Sequence, residues 1–326
     1  MILGFWTKIK RPFFVLAPMA DVTDWPFRQM VAHISRPDVF YTEFVSADGL
    51  ASEKGRTKLL PLLYRTDDEH PIVAQIFGAR PENIFKTAQL VQELGFDGLD
   101  INMGCPERKV VKQGAGIGLC KTPELAKEII ASAKEGAPNL PISIKTRLGY
   151  HTIDLEWVEV LLSCNIAALA VHLRTMKEMS KVPAHWELMG EIHRMAKNHN
   201  TLSIGNGDVI SQEEGLKKSK ETGTDGIMIG RGIFQNPWLF VKGHPQHAEG
   251  APLQRLELLR RHTELFVEFW SRPPFSTERL GRNFDVLKKF YKMYVAGWDG
   301  AKELRTKLME CHSPAAVFEI LKGPLA

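Results

Sequence analysis

The chain has 326 residues, 44% of them hydrophobic and 25% charged, with a net charge of +4. That composition excludes a disordered or collagen-like chain and leaves room for about two domains. No stretch approaches the roughly 18 consecutive apolar residues of a membrane span, and residues 1–10 lack the apolar core of a signal peptide, so a cytoplasmic protein without a membrane partner is expected.

Short apolar, β-prone runs recur from the first residues onward, each followed by a polar or glycine-containing turn and then by helical periodicity. Eight such runs lie at 13–17, 39–42, 72–76, 98–102, 142–146, 168–172, 202–205 and 226–230, with helices predicted between them at 81–94, 123–134, 155–163 and 212–222. Eight buried parallel strands with right-handed helical crossovers predict a TIM (β/α)8 barrel. The competing open doubly wound sheet lacks its GxGxxG turn after the first strand, and polar residues follow nearly every run instead of gathering at one crevice. After Pro237-Trp238 the β signal stops, and 243–252 reads as a linker. Helical periodicity resumes at 253–270, 277–295, 301–309 and 314–321, which predicts a small all-α bundle. The expected division is a barrel over 1–243 and a helical domain over 244–326. The second part carries 13 Lys+Arg against 10 Asp+Glu, a mild bias toward a polyanionic partner.

In a barrel, the residues just past the strand ends share one pocket. Here they include Pro18, Met19, Glu43, Gln75, Asn102, Cys105, Lys145, Arg147, His172, Arg174, Asn206, Asp208, Gly230 and Arg231. Gly205-Asn206-Gly207-Asp208 and Gly230-Arg231-Gly232 end the seventh and eighth runs, where barrels commonly hold a phosphate, and an arginine there adds a charge-assisted bond. A phosphate-bearing cofactor is therefore expected. Cys105, Cys120, Cys164 and Cys311 form no CxxC pair, so neither a disulfide framework nor a metal site is expected. Cys105 differs from the others in following a strand within a glycine-flanked turn. A thiol so placed serves as a nucleophile or a proton donor, and the absence of a hydrolase-type carboxylate–histidine arrangement favours the donor. Lys145 and His172 could hold the polar edge of a flavin or the carbonyls of a pyrimidine.

Taken with Ala17-Pro18-Met19-Ala20-Asp21-Val22-Thr23-Asp24, Thr42-Glu43-Phe44, Ala74-Gln75-Ile76-Phe77-Gly78, Asp100-Ile101-Asn102-Met103-Gly104-Cys105-Pro106, Lys145-Thr146-Arg147 and His172-Leu173-Arg174-Thr175, these motifs resemble the tRNA-dihydrouridine synthases, most closely the bacterial B-type branch, over nearly the whole chain. The resemblance implies FMN at the barrel mouth, NADPH as reductant, and hydride transfer to C6 of a uracil in the D-loop of tRNA, with Cys105 protonating C5. It also implies that Pro18, Met19 and Ala20 line the flavin. Gln75, Lys145 and His172 would contact it, and Asn206, Gly207, Asp208, Gly230 and Arg231 would hold its phosphate. Asn102 would orient the uracil. Cations assigned to tRNA are Arg147 and Arg174 on the barrel and Arg279, Arg282, Lys288, Lys289 and Lys292, which fall on one predicted helix with Phe290 and Tyr291 interleaved. Asp21 and Leu173 stand where the family commonly has glycine. The alternatives are an FMN barrel acting on a free pyrimidine and a non-catalytic tRNA-binding protein. A monomer is the default expectation.

Overall fold

The computed structural model describes residues 2–241, 251–273 and 281–325. Its strands are β1 (Phe13–Leu16), β2 (Phe40–Ser46), β3 (Ile72–Phe77), β4 (Gly98–Met103), β5 (Ile142–Arg147), β6 (Ala168–His172), β7 (Leu202–Asn206) and β8 (Gly226–Ile229). They pair in parallel in the order β1-β8-β7-β6-β5-β4-β3-β2. A parallel bridge between Val15 and Val39, with the Leu16 N–H donating to the Val39 carbonyl, joins β1 to β2 and closes the sheet into the predicted barrel. Every residue of β1, β4, β7 and β8 is buried, because one strand face fills the barrel and the other meets the helices.

The barrel helices begin where local chemistry starts them. Proline occupies the first turn of Pro81–Glu93 and Pro123–Gly136, where its missing N–H costs nothing. Asp154 and Ser211 cap Leu155–Ser163 and Gln212–Thr222 by accepting from the N–H of Trp157 and Glu214. β2 runs further than the sequence predicts, through a bulge. Tyr41 pairs with Val73 and Phe44 with Gln75, so Thr42 and Glu43 together oppose Ala74. The apolar run stops at Glu43, but the bulge lets the strand continue while that carboxylate is re-aimed.

In the C-terminal region, Pro252–Trp270 packs along the first barrel helix, Trp25–Ile34. Phe27 stacks on Phe290 with ring centroids 5.2 Å apart, Trp25 lies 5.3 Å from Phe269, and the Arg272 guanidinium sits 5.2 Å from the Trp25 ring. Barrel and tail thus share one apolar cluster. Ala301–Met309 and Pro314–Leu325 follow as predicted.

Over the described residues 281–295, the helix predicted at 277–295 gives way to a 3-10 turn, Phe284–Phe290, and a single α turn, Tyr291–Tyr294. Asn283 is extended, with φ −60° and ψ 131°, and its side chain accepts from the Asp285 N–H. An asparagine bonded in this way starts a turn and cannot continue a helix through itself. Arg282 consequently lies before the turn and not on a helix. Arg279 and the expected boundary at 243/244 fall outside the described residues. Among the described residues, no helix is long and apolar enough to cross a membrane.

Candidate active site at the barrel mouth

A cavity of about 560 Å³ opens at the C-terminal ends of the strands. Its wall includes Pro18 and Met19 after β1, Lys145 on β5, His172 on β6, and the runs 206–210 and 230–232. The sequence reading places most of these residues together. It does not anticipate Val209, Ile210 or Met228, whose apolar side chains carry no chemical signal of their own, or Gln235, which lies beyond the turn that follows the last strand. Seven expected members do not line the cavity: Ala20, and the buried Glu43, Gln75, Asn102, Cys105, Arg147 and Arg174. Ala20 is exposed on the loop, and Gln75 is fully buried beneath the mouth.

The β5–β8 side of the cavity is electropositive. The Lys145 ammonium donates to Asn206 Oδ1 at 3.2 Å, and burial together with repulsion from Arg147 pushes its pKa down to about 8. Burial, followed by repulsion from Lys145, Arg147, Arg174 and Arg231, holds His172 far below the ordinary histidine range, so the ring is neutral. Arg174 Nη1 lies 3.2 Å from His172 Nε2. A guanidinium can only donate, so Nε2 accepts and the ring proton resides on Nδ1. Gly207 has φ +137°, and a Cβ there would stand 2.7 Å from Ala184 Cβ, so only glycine allows the turn over the cavity floor.

The β3–β4 side is closed by hydrogen bonds. Asn102 Oδ1 accepts from the N–H groups of Gly104 and Cys105, at 3.1 and 2.8 Å, while its Nδ2 donates to Gln75 Oε1. Gln75 Nε2 in turn donates to Asp100 Oδ2 at 2.7 Å, and Ser143 Oγ donates to Asp100 Oδ1 at 2.6 Å. Both polar ends of Asn102 and of Gln75 are therefore engaged within the barrel, and what they fix is the Cys105 turn. Gly116 has φ +59°, and its missing side chain leaves room for the Cys105 carbonyl, which a Cβ would approach to 2.6 Å. Cys105 is 9% exposed and packs with Val110 and Ala115 against Phe44, Phe77 and Ala79. Burial raises its thiol pKa against the pull of Arg147 and Lys145, so the thiol stays protonated.

A family model described as dihydrouridine synthase (Dus) matches residues 15–322. The chain belongs to the dihydrouridine synthase family. It is 45% identical over 325 residues to a probable tRNA-dihydrouridine synthase 2 of Bacillus subtilis (strain 168), covering 98% of this chain and 96% of that one. It is 44% identical over 322 residues to a probable tRNA-dihydrouridine synthase of Staphylococcus epidermidis (strain RP62A), covering 98% and 95%. A Staphylococcus aureus (strain Mu50) relative of the same description is 43% identical, covering 98% and 94%. Among solved structures, an old yellow enzyme homologue from Zymomonas mobilis is similar at 13% identity and a TM-score of 0.48, over 70% of this chain and 86% of that one. Dihydrouridine synthases are flavin-dependent oxidoreductases.

The cations assigned to RNA from the sequence fare differently in this dihydrouridine synthase. Arg147 and Arg174 are 8% and 3% exposed and turn inward. Arg147 donates to the carbonyls of Gly104 and Thr175, whereas Arg174 pairs with Asp208 and donates to the Val182 carbonyl. Both are barrel-mouth struts, because an arginine at the end of a strand, as Arg147 is, or two residues past it, as Arg174 is, still lies within the packed rim. Asp208 thus presents to the cavity a carboxylate already committed to Arg174. Arg282 is 13% exposed and pairs with Asp21, Asp24 and Glu43, which removes it from the outward-facing set. Lys288 pairs with Asp285 at 3.0 Å. Lys289 and Lys292 are exposed and, with Arg231, Arg255, Phe234 and Gln235, line a second cavity of about 460 Å³ between barrel and tail.

Proposed function

We propose that the chain is an FMN-dependent, NADPH-driven tRNA-dihydrouridine synthase that reduces the C5–C6 bond of a D-loop uridine. The observation that carries this reading is the meeting, at one barrel mouth, of a cation- and glycine-lined cavity with a buried, protonated thiol. FMN suits the cavity's donor set. Arg231 and the backbone of 230–232 and 206–208 would hold its phosphate, Pro18 and Met19 would wall the ring, and Lys145 would meet the ring's polar edge. Once reduced by NADPH, FMN would supply the hydride that goes to C6 of the uracil.

The chain's own residues supply the remainder. Cys105 holds the proton that goes to C5, and burial keeps that proton on sulfur until a uracil carbon needs it. Lys145 and Arg147 favour the thiolate left behind, which water then reprotonates. Asn102 acts by fixing the Cys105 turn. Neutral His172, with its proton on Nδ1, offers one donor to a carbonyl without adding a charge.

A uridine in folded RNA must leave its stack to reach such a pocket, at a cost of a few kcal/mol that phosphate contacts offset. The second cavity, with Arg231, Lys289 and Lys292 and, among the described residues, no carboxylate on its wall, fits the passing phosphates. In this reading the region 244–326 is the helical tRNA-gripping domain, and the protein acts as a monomer. The test is incubation of purified protein with NADPH and unmodified tRNA, scoring dihydrouridine at each position by mass spectrometry. Product at a D-loop position is the expected result. Reduction of free uracil or uridine, with tRNA untouched, would replace the reading by a free-pyrimidine reductase.

A further inference from the structure

The loop 18–24 contributes Pro18 and Met19 to the large cavity, yet its outer part has little cover, because Ala20 and Asp21 are exposed. Asp21 also has φ +57°, in the left-handed region that aspartate tolerates but that most residues avoid. A conformation of this kind persists where its surroundings fix it. Three polar groups of Asp21 are engaged. Its N–H donates to Glu43 Oε1, its carbonyl accepts from Lys289 Nζ at 2.9 Å, and its carboxylate accepts from Arg282 Nη2 at 2.7 Å. Two of these three partners come from the C-terminal region.

Arg282 is the centre of the arrangement. Nη1 reaches Asp24 Oδ2 at 2.8 Å and Glu43 Oε2 at 3.3 Å, while Nη2 reaches Asp21 Oδ1 and, at 3.0 Å, Glu43 Oε1. One guanidinium thus grips Glu43 with both nitrogens and the middle and far end of the loop, Asp21 and Asp24, with one nitrogen each. Asp24 simultaneously caps the first barrel helix through Oδ1, which accepts from the Phe27 N–H. The bulge in β2 presents Glu43 to the same point, and the turn started by Asn283 leaves Arg282 outside any helix and able to reach it.

We propose that Arg282 is a positioning residue for the cofactor pocket: from the C-terminal region it fixes the 18–24 loop, and so keeps Pro18 and Met19 in the cavity wall. The proposal rests on the reading of that cavity as the FMN site. It makes retention of the flavin depend on the seating of the helical region, although Arg282 does not line the cavity. A lysine cannot reproduce the fork, since a single ammonium is a point charge that meets fewer of the three carboxylates at once.

The experiment follows FMN release from the holoenzyme after dilution, by recovery of flavin fluorescence, together with deuterium uptake of the 17–24 segment. Arg282→Gln is expected to release FMN at least about tenfold faster and to exchange 17–24 faster, with its far-ultraviolet circular dichroism unchanged. Arg282→Lys should fall between the two. Asp21→Asn, which loses an exposed partner, should speed release by up to about fivefold and add little in the Arg282→Gln background. A lowered Tm with wild-type FMN release and unchanged exchange at 17–24 would overturn the proposal, since Arg282 would then only hold the two regions together. Should Arg282→Gln not fold, Arg282→Lys and Asp21→Asn decide in the same way, and wild-type release in both would overturn it. Wild-type protein that binds no FMN would instead sink the flavin reading, and exchange at 17–24 would still decide whether Arg282 holds the loop.

Discussion

The two sides of the barrel mouth use polar residues in opposite ways. On the β5–β8 side, Lys145, Arg231 and the neutral ring of His172 face a cavity of about 560 Å³. On the β3–β4 side, Gln75, Asp100 and Asn102, joined by Ser143 of β5, are at most 6% exposed and bond to one another. The first side offers charge to whatever enters, so it governs affinity. The second has its hydrogen bonds satisfied internally, so it governs where Cys105 stands. Binding and proton delivery are therefore separable by mutation, and the variants below are chosen to break or sharpen that division.

The largest effect is expected at the thiol. Cys105→Ala removes the proton donor without touching the cation-lined wall, so dihydrouridine formation should fall by about a hundredfold or more while flavin absorbance per protein is kept. Loss of flavin would place Cys105 on the binding side and end the division. Arg231→Ala should show the reverse pattern. A lost charge-assisted bond weakens FMN retention by about tenfold to a hundredfold, read from fluorescence titration, and turnover at saturating FMN should stay close to wild type. Unchanged flavin affinity would count against the phosphate assignment.

Asn102→Ala tests the closed side from within. It leaves the N–H groups of Gly104 and Cys105 and the Gln75 Oε1 without their partner, a loss of about 1–3 kcal/mol in urea unfolding. Turnover should fall by about tenfold with FMN affinity unchanged, because the loosened turn misplaces the thiol. A variant with weaker FMN binding and normal turnover would mean that Asn102 faces the cofactor after all.

The barrel was legible because each of its strands is short, apolar and followed by a turn, a pattern set by burial on both faces. The β5–β8 part of the cavity wall was legible for the same reason, since position at a strand end predicts a shared mouth but not which side chains line it. Side-chain direction was not. Gln75 and Asn102 occupy the expected strand-end places, yet their amides meet each other and Asp100, and no spacing rule distinguishes an inward amide from one facing a ligand. The tail misled for a different reason. Helical periodicity over 277–295 placed Arg282 among solvent-facing cations, whereas Asn283 caps a new turn and sends Arg282 across to Asp21, Asp24 and Glu43. Those acids lie more than 230 residues away in sequence, and only the closed barrel brings them to the same point.

The finest test concerns Lys145, which lines the open side but also hydrogen-bonds Asn206 and feels the Asp100 carboxylate. Its folded pKa of about 8 lies below the value near 10.4 of an unfolded lysine. Between these values the unfolded chain binds the proton that the folded chain has released. The stability penalty of burying the ammonium is therefore present below pH 8 and is relieved as pH rises from 8 toward 10.4. Flavin affinity should run the other way. Loss of the charge facing the ring's polar edge weakens binding, by about threefold between pH 7 and 9, since a neutral amine still donates a hydrogen bond. Lys145→Met should flatten both profiles, measured by urea unfolding and by FMN titration across that range. If the stability profile flattens and the flavin profile does not, Lys145 acts only on its protein neighbours, and the open side's charge toward a ligand reduces to Arg231.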